Sequence, residues 1–279
     1  QVVWAADDLM RDPASLPTLL LAEEASQSMK VVFSGEGGDE SFAGYGRYRT
    51  GAVERLFKSI AFPGTGGFRS RGDLRGGATR QLLGDKLTQV GRAWRGELIE
   101  SWRSYPAAWT PLQKMQALDL QHALPDNLLV KADRMLMAHG VEGRMPFVDR
   151  RVVSWGLAAA DALKCDRREG KKILKRWASG FMPAEHFAAK KRGFYVPVND
   201  WWRGDRLEVL GRVLTDNESI REWFKPAGVE ALLAEQRRSQ RAGKQLMTLL
   251  QFALWHRFFV ESVTPALPEV TDPLAMLSR

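Results

Sequence analysis

The stretch VVFSGEGGDESFAGYGRY, residues 31–48, decides how this sequence is interpreted. The apolar, β-branched segment from Lys30 to Phe33 predicts a short parallel strand covered on both faces, because such strands carry uninterrupted apolar residues. A glycine-rich turn follows at once and holds the carboxylates of Glu36, Asp39 and Glu40. Ligands of open α/β sheets bind just beyond the carboxyl ends of parallel strands. We therefore predict a ligand-binding loop at residues 34–40.

The residue types in this loop indicate which ligand it binds. Backbone N–H groups of a turn that contains Gly35, Gly37 and Gly38 can cradle phosphate oxygens, since no side chain blocks their approach. Clustered carboxylates repel phosphates unless a hard cation lies between them, and Mg²⁺ with one or two carboxylates meets that need. The pattern predicts a nucleotide triphosphate with magnesium. An ordinary glycine-acid turn without a ligand is the alternative.

Composition excludes several classes of protein. The chain has 279 residues, 44% of them hydrophobic and 27% charged, as in an ordinary soluble globular protein. Its apolar runs are too short to span a bilayer, so we expect no membrane partner and a cytoplasmic location. The one cysteine, Cys165, excludes an internal disulfide framework and is expected to be an unpaired, buried or half-buried thiol.

The chain is basic, with a net charge of +8 and a pI near 9.7. Such a charge fits either a nucleic-acid surface or an anionic small-molecule substrate. The basic residues are spread along the chain and no base-reading motif accompanies them, which favours the second possibility. We therefore expect no nucleic-acid partner.

Helical patterns occupy most of the remaining sequence, and we find no second convincing strand. Ser15 is predicted to cap a helix that has Pro17 in its first turn and runs to about Met29. Apolar residues at helical spacing continue from Leu112 until Pro125, and Asp126 then caps a second helix. Residues 245–259 are apolar nearly all round and predict a buried helix. The fold class is α/β and predominantly helical.

Two further segments extend the pattern of the loop. Residues 124–149 read LPDNLLVKADRMLMAHGVEGRMPFVD, and residues 190–198 read KKRGFYVPV. Together with SGEGGDESFAGYGRY, residues 34–48, these two segments resemble three motifs of the asparagine synthetase family, in the same order. Each motif alone is moderately specific for the family, but the three together are a strong indication of it. The resemblance covers about residues 1–262 and is weakest from 57 to 109.

The resemblance implies the synthetase part of a glutamine-dependent amidotransferase. Its fold would be that of the ATP pyrophosphatases (adenine nucleotide α-hydrolase-like), lacking its first strands, over residues 1–265, with a C-terminal tail at 266–279. Such a domain adenylates a small-molecule carboxylate with Mg²⁺ and ATP, and ammonia from an N-terminal glutaminase domain then attacks the acyl-adenylate. Aspartate would be the substrate, and a homodimer is compatible with the family. Because the chain begins at Gln1 rather than Met, we expect a piece of a longer polypeptide. The family grips the triphosphate with a serine- and glycine-rich loop after an earlier strand, which this sequence lacks, so the resemblance implies that the chain is inactive alone.

Individual roles follow from the resemblance wherever a motif matches. Glu36 would bind and deprotonate the incoming amine, Asp39 would bind magnesium, and Lys191 would neutralise charge that develops on the phosphates. Asp126, with Asp133, would act on the amine side of the site or else serve as a helix cap and surface ion pair. The backbone of the loop would contact the nucleotide at Ser34, Gly35, Gly37 and Gly38.

Departures from the family pattern leave two alternatives open. Asparagine synthetases tend to carry an arginine near Pro17, and Gly143 and Met145 also differ from the usual residues. A related amidotransferase that acts on a sugar, a peptide or another metabolite is therefore one alternative. A non-catalytic, basic helical binding protein is the other, although the joint presence of Glu36, Asp39 and Lys191 argues against it.

Overall fold

The computed structural model describes residues 1–10, 12–68, 81–188, 196–262 and 272–277. Helices surround one small sheet, in agreement with the predicted, predominantly helical α/β class. Within these ranges, no helix combines the length and the apolar character needed to cross a bilayer.

The first part of the chain places one strand between short helices. Its elements, in chain order, are α1 (Val2–Ala6), α2 (Ser15–Ser26), β1 (Val31–Phe33), α3 (Gly38–Ser41), a 3₁₀ turn (Gly46–Arg49) and α4 (Ala52–Ala61). The predicted cap of α2 is wrong: Ser15 is the first helical residue, Ala14 is the N-cap, and the Ser15 hydroxyl donates to the Asp12 carbonyl at 2.8 Å. The helix also ends at Ser26, before Met29.

The middle of the chain contributes a second strand, which the sequence pattern did not reveal. Its elements are α5 (Asp85–Ser104), α6 (Pro111–Leu118), a π-helical segment (Asp119–Leu129), α7 (Val130–Met137), β2 (Glu142–Arg144), a 3₁₀ turn (Pro146–Val148), α8 (Arg150–Ala158) and α9 (Asp161–Lys164). Strand β2 runs parallel to β1, with Val32 opposite Gly143. Three residues with glycine at the centre carry no β-type pattern, which explains why β2 was missed.

The prediction that β1 is covered on both faces is wrong for this structure. Val32 packs against a small apolar cluster of Ala22, Leu136 and Val141, which α2, α7 and the approach to β2 supply. The side chains of Val31 and Phe33 point the other way and are 47% and 81% exposed. Alternation in a strand sends neighbouring side chains to opposite faces, and the described helices pack on only one face here.

Pro125 does not end the helix that begins at Pro111. The chain continues from α6 through the π-helical segment into α7 without a break, so Asp126 is not an N-cap. Proline lacks an N–H and its ring crowds the preceding turn, and a π-helical segment absorbs both effects by widening the helix. The apolar positions were predicted correctly, since Leu112, Met115 and Leu128 are buried.

The last part of the described chain is an all-helical bundle. Leu246, Leu249 and Leu250 lie in its core, which confirms the predicted buried helix. Leu274, from the predicted tail, is also buried there. The elements are α10 (Lys172–Ala178), α11 (Ala184–Ala188), α12 (Val198–Trp201), α13 (Gly204–Asp216), α14 (Glu218–Trp223), α15 (Pro226–Ser239), α16 (Gly243–His256), a π-helical turn (Arg257–Glu261) and α17 (Pro273–Leu277).

Candidate active site

The glycine loop, residues 34–40, begins where the two strands end. The Ser34 N–H donates to the Arg144 carbonyl at 2.8 Å and so fixes the start of the loop to the end of β2. The Ser34 hydroxyl accepts from the Glu36 N–H at 3.3 Å, and the Gly38 N–H donates to the Gly35 carbonyl at 3.2 Å. The loop is therefore a hydrogen-bonded turn that leads directly into α3.

The glycines of this loop have two different surroundings. A Cβ atom at Gly37, which has φ +85°, would lie 2.5 Å from Val148, and one at Gly38 would lie 3.2 Å from the Phe147 ring. These two glycines let the loop pack against the 3₁₀ turn that follows β2. A Cβ at Gly35 would meet no atom within 4 Å. Gly35 is thus the glycine whose backbone faces open space, where a ligand can approach.

The carboxylates of the loop also differ in their surroundings. Glu36 and Asp39 are half-buried, whereas Glu40 is 1% exposed. Glu40 accepts a 2.6 Å hydrogen bond from the Tyr45 hydroxyl. Burial raises the pKa of Glu40, and the Tyr45 hydrogen bond opposes that shift. Glu40 therefore holds the loop from inside, and Glu36 and Asp39 remain the carboxylates that a ligand can reach.

A buried amide supports α3 from behind. The Gln116 side chain, fully buried in α6, donates to the carbonyls of Glu40 at 2.6 Å and Ser41 at 2.9 Å. The Lys164 ammonium donates to the Gln116 amide oxygen at 2.9 Å, which orients the amide. Burial lowers the pKa of Lys164, and Asp161 partly opposes this. These contacts satisfy carbonyls at the end of a four-residue helix, which has few intrahelical partners for them.

A second polar group lies beside the loop. Asp119, fully buried at the start of the π-helical segment, accepts from the Tyr48 hydroxyl and from the Arg47 guanidinium at 2.7 Å. Burial and the Asp119 charge raise the pKa of Tyr48 well above its usual value. The guanidinium of Arg47 also lies 3.9 Å from the centre of the Tyr45 ring. Tyr45 thus holds the end of the loop through Glu40, and Tyr48 ties the 3₁₀ turn after the loop to the π-helical segment.

Lys171 reaches the loop from a distant part of the chain and was missed by the sequence analysis. Its ammonium lies 3.3 Å from Oδ1 of Asp39. Its backbone N–H donates to the Phe42 carbonyl at 3.1 Å, so the segment before α10 is tied to the turn after α3. Lysines at spacing typical of an exposed helix carry no signal for such a contact.

The remaining predicted site residues are placed as follows. Asp126 is exposed on the π-helical segment, and within the described ranges no hydrogen bond or ion pair joins it to the glycine loop. Lys191 and the other residues from 190 to 195 lie outside the described residues. Cys165 is a free, half-buried thiol as predicted, and burial raises its pKa.

The site offers few protein ligands for a metal ion. In the part of the chain that the structure describes, no group of three or more His, Cys, Asp or Glu side chains is arranged to hold one. Asp39 can supply a single carboxylate at the loop. Mg²⁺ typically takes one or two carboxylates together with phosphate oxygens, so these residues fit an ion that arrives with a polyphosphate.

Comparison with protein families matches residues 1–257 to the asparagine synthase family. The chain belongs to the asparagine synthase family. The match covers β1, the glycine loop, the helix that contains Gln116 and most of the C-terminal bundle.

Individual relatives extend this finding. A Mycobacterium bovis protein that carries the provisional name of a glutamine-hydrolysing asparagine synthetase is 31% identical over 99% of the chain and 47% of its own length. Glutamine-hydrolysing asparagine synthetase 1 of Bacillus subtilis is 26% identical over 94% of the chain and 45% of its own length. The amidase ChyE of Penicillium rubens is 23% identical over 78% of the chain and 40% of its own length. The chain thus spans about half the length of the curated relatives it matches.

Proposed function

We propose that the protein that carries this chain amidates a substrate carboxylate at the expense of ATP. The carboxylate is adenylated and pyrophosphate leaves; ammonia released from glutamine elsewhere in the protein then attacks the acyl-adenylate, loses a proton, and displaces AMP to give the amide. The observation that carries this proposal is the glycine loop at the ends of β1 and β2, with Glu36 and Asp39 accessible and Glu40 held inside. Family membership supports the same reaction class.

Each role in this reaction rests on a residue of this chain. The backbone from Ser34 to Gly38 contacts the nucleotide, and Asp39 binds the magnesium ion, which shields phosphate charge when bound. Glu36 accepts a proton from the attacking amine, since a half-buried carboxylate beside an open loop can reach both solvent and ligand. Lys191 offsets charge that forms on the leaving phosphates. The role of Asp126 on the amine side has the least support, because within the described ranges no hydrogen bond or ion pair joins it to the loop.

Aspartate is the substrate we propose first, with asparagine as the product. Two relatives named asparagine synthetases support it. Of the departures from the family pattern, Gly143 and Met145 have a packing reason: a Cβ at Gly143 would lie 2.9 Å from the Met145 methyl group and 2.7 Å from Leu136. Gly143 and Met145 therefore share one packing space beside Leu136. Pro17 has no such explanation.

A second candidate is a related amidotransferase that acts on another carboxylate. Similarity to a protein named an amidase favours it, because a related sequence then carries the name of a different activity. An assay panel of aspartate, sugar acids and peptides separates the two candidates, because it shows which carboxylate is amidated.

The test is carboxylate-dependent exchange of labelled pyrophosphate into ATP by the intact protein. We expect exchange that requires magnesium and one carboxylate from the panel. Glu36→Gln should retain exchange yet lose amide formation by about 10² to 10⁴, because adenylation precedes attack by the amine. Lys191→Ala should lower turnover by about 10² to 10³, with Lys190→Ala as the matched control.

Two results would contradict the proposal. A folded, intact protein that exchanges with no carboxylate in the panel does not catalyse this reaction. Equal, small effects of Lys190→Ala and Lys191→Ala would remove Lys191 from the site.

The chain by itself is proposed to be inactive, and micromolar binding of Mg²⁺ and ATP to residues 1–279 alone would overturn that expectation.

A further inference from the structure

Two backbone carbonyls at the end of α3 depend on one side chain. They belong to Glu40 and Ser41, which are 1% and 0% exposed. Among the described residues, no backbone N–H donates to either carbonyl. The amide nitrogen of Gln116 donates to both, at 2.6 and 2.9 Å. Gln116 therefore supplies hydrogen bonds that the surrounding backbone does not.

The end of α3 is closed in from two other sides. Gly156 of α8 lies so near that a Cβ atom there would be 2.6 Å from the Ser41 carbonyl oxygen. The Ser41 hydroxyl donates to the Phe147 carbonyl at 3.2 Å, in the 3₁₀ turn after β2. A carbonyl that lost its donor in this enclosed place would carry the cost of desolvation, because water has no access to replace the donor.

The amide of Gln116 has one favourable orientation. Its oxygen accepts from the Lys164 ammonium at 2.9 Å, and an ammonium can only donate. An amide turned by half a revolution would set its oxygen against two carbonyl oxygens and its nitrogen against Lys164. Lys164 is itself fixed, since it is fully buried and also donates to the Leu157 carbonyl at 3.3 Å.

Helix α3 carries the accessible carboxylates of the glycine loop. Asp39 is its second residue, and Glu36 precedes the helix by two positions. A helix of four residues has too few internal hydrogen bonds to be stable by itself, so its tertiary contacts set its orientation. A shift of the Glu40 and Ser41 carbonyls would therefore move Asp39 as well.

We propose that Gln116 and Lys164 are positioning residues for the carboxylate of Asp39. Both side chains are fully buried and contact no ligand themselves, so they act through the backbone of α3. The inference rests on the proposed function for the role of Asp39 as a magnesium ligand. It assigns two residues that lie outside all three sequence motifs.

The first test measures how much magnesium the intact protein needs for carboxylate-dependent pyrophosphate exchange. Gln116→Met has a similar volume but cannot donate, and should raise the half-saturating magnesium concentration by about 10- to 100-fold, as expected for the support of a metal ligand. A variant that is merely less stable has less folded enzyme, which lowers the maximal rate and leaves the magnesium requirement unchanged.

Gln113→Met is the matched control. Gln113 lies one turn earlier on the same helix, and its amide donates to the Leu157 carbonyl at 3.0 Å rather than to α3. The magnesium requirement of Gln113→Met should stay within about twofold of wild type, because α3 keeps its support. Equal effects of the two substitutions would reduce the role of Gln116 to general support of α6 and overturn the proposal.

Two further variants separate hydrogen bonding from packing. Gln116→Glu keeps the shape and a partner for Lys164, but an ionised carboxylate cannot donate to the carbonyls of α3. It should raise the magnesium requirement at least as much as Gln116→Met, and a wild-type requirement would overturn the proposal. Lys164→Met keeps the amide and removes the donor that orients it, so it should raise the requirement by a smaller factor, about threefold to tenfold. It also serves as the test should Gln116→Met not fold.

A second measurement needs no catalysis. Backbone hydrogen exchange of residues 38–44, followed by mass spectrometry in the magnesium-free intact protein, should be about tenfold faster in Gln116→Met and unchanged in Gln113→Met. Binding of pyrophosphate with magnesium, measured by calorimetry, should weaken about tenfold in Gln116→Met alone. Faster hydrogen exchange with an unchanged magnesium requirement would overturn the proposal, since α3 would then move without affecting Asp39.

The two measurements together separate this inference from the proposed function. Normal pyrophosphate exchange, with wild-type hydrogen exchange and magnesium requirement in Gln116→Met, would overturn the positioning role and leave the amidation reaction standing. Faster hydrogen exchange and weaker binding of magnesium and pyrophosphate in Gln116→Met, in a protein that shows no pyrophosphate exchange with any carboxylate, would have the opposite meaning. Gln116 and Lys164 would then position the carboxylate, but for a different reaction.

Discussion

The surroundings of the glycine loop and the C-terminal bundle are built from different interactions. The C-terminal bundle has a core of apolar side chains such as Leu246 and Leu250, contributed by helices that are near neighbours in sequence. The loop is held by polar side chains that reach backbone carbonyls and charges far away in the chain, among them Gln116, Asp119 and Lys171. Apolar packing is non-directional, whereas buried hydrogen bonds fix orientation.

These two kinds of interaction predict which part of the molecule tolerates substitution. An apolar core accepts other hydrophobic residues of similar volume at small cost. A buried polar group whose partner is removed carries the full cost of desolvation, and the backbone it supported moves with it. Damage to the loop's supports should therefore affect both stability and ligand binding, whereas damage to the bundle should affect stability alone.

The largest expected effect comes from Asp119→Ala. Removal of this fully buried carboxylate leaves the Tyr48 hydroxyl and much of the Arg47 guanidinium without their acceptor. Breaking such a pair costs about 3–5 kcal/mol, and urea unfolding of the intact protein should report it. Pyrophosphate binding should fall too. Asp216→Ala, which removes an exposed partner of Arg221, is the control and should cost under about 1 kcal/mol.

Leu246→Ala should cost somewhat less, about 2–4 kcal/mol, because it leaves a cavity in the core of the bundle where Leu246 is fully buried. Binding of pyrophosphate to the folded variant should remain at the wild-type level. A loss of binding as large as that of Asp119→Ala would show that the bundle and the loop are one cooperative unit and would erase the contrast between them. Pyrophosphate binding should be measured by calorimetry at a temperature where both Leu246→Ala and Asp119→Ala are folded.

The smallest expected effect concerns pH. Burial lowers the pKa of Lys164 below the ordinary 10.5, so between the folded-state pKa and 10.5 the unfolded chain binds more protons than the folded one. The free energy of unfolding should therefore rise with pH across that interval, by about 1.4 kcal/mol for each unit by which folding lowers the pKa of Lys164.

The variant Lys164→Met lacks this proton and provides the reference for the pH effect. The free energy of unfolding of the wild-type protein, measured relative to Lys164→Met, should increase as the pH approaches 10.5. If the difference in free energy of unfolding between the wild-type protein and Lys164→Met stays constant with pH, Lys164 is solvated like a surface lysine, despite its burial against Gln116.

Local pattern was sufficient for part of the fold and of the site. Helix α16 follows from apolar residues on all sides, and the position of the glycine loop follows from the strand and glycines beside it. Helical spacing also identified the buried positions Leu112 and Met115 correctly. In each case the signal lies within a few residues of the feature, so no long-range contact is needed to recognise it.

The features that local pattern missed depend on partners distant in sequence. Strand β2 exists because Lys30 and Ser34 at the ends of β1 exchange backbone hydrogen bonds with Glu142 and Arg144. The helix continues past Pro125 because the π-helical segment accommodates the ring while Asp119 and Leu128 stay buried on either side of it. Neither outcome can be deduced from propensity, since tertiary packing outweighs intrinsic preferences of about 1 kcal/mol per residue.

Residues 31–48 alone establish that a strand ends in a glycine loop with three carboxylates and that this loop resembles the first of three family motifs. The division of the carboxylates is visible only in the folded chain, where Glu40 is buried against Tyr45 and Asp39 is paired with Lys171. Residue type states which charge is present, whereas burial and partners set what that charge can do. Both depend on chain segments, such as the one around Gly170, that meet the loop only after folding.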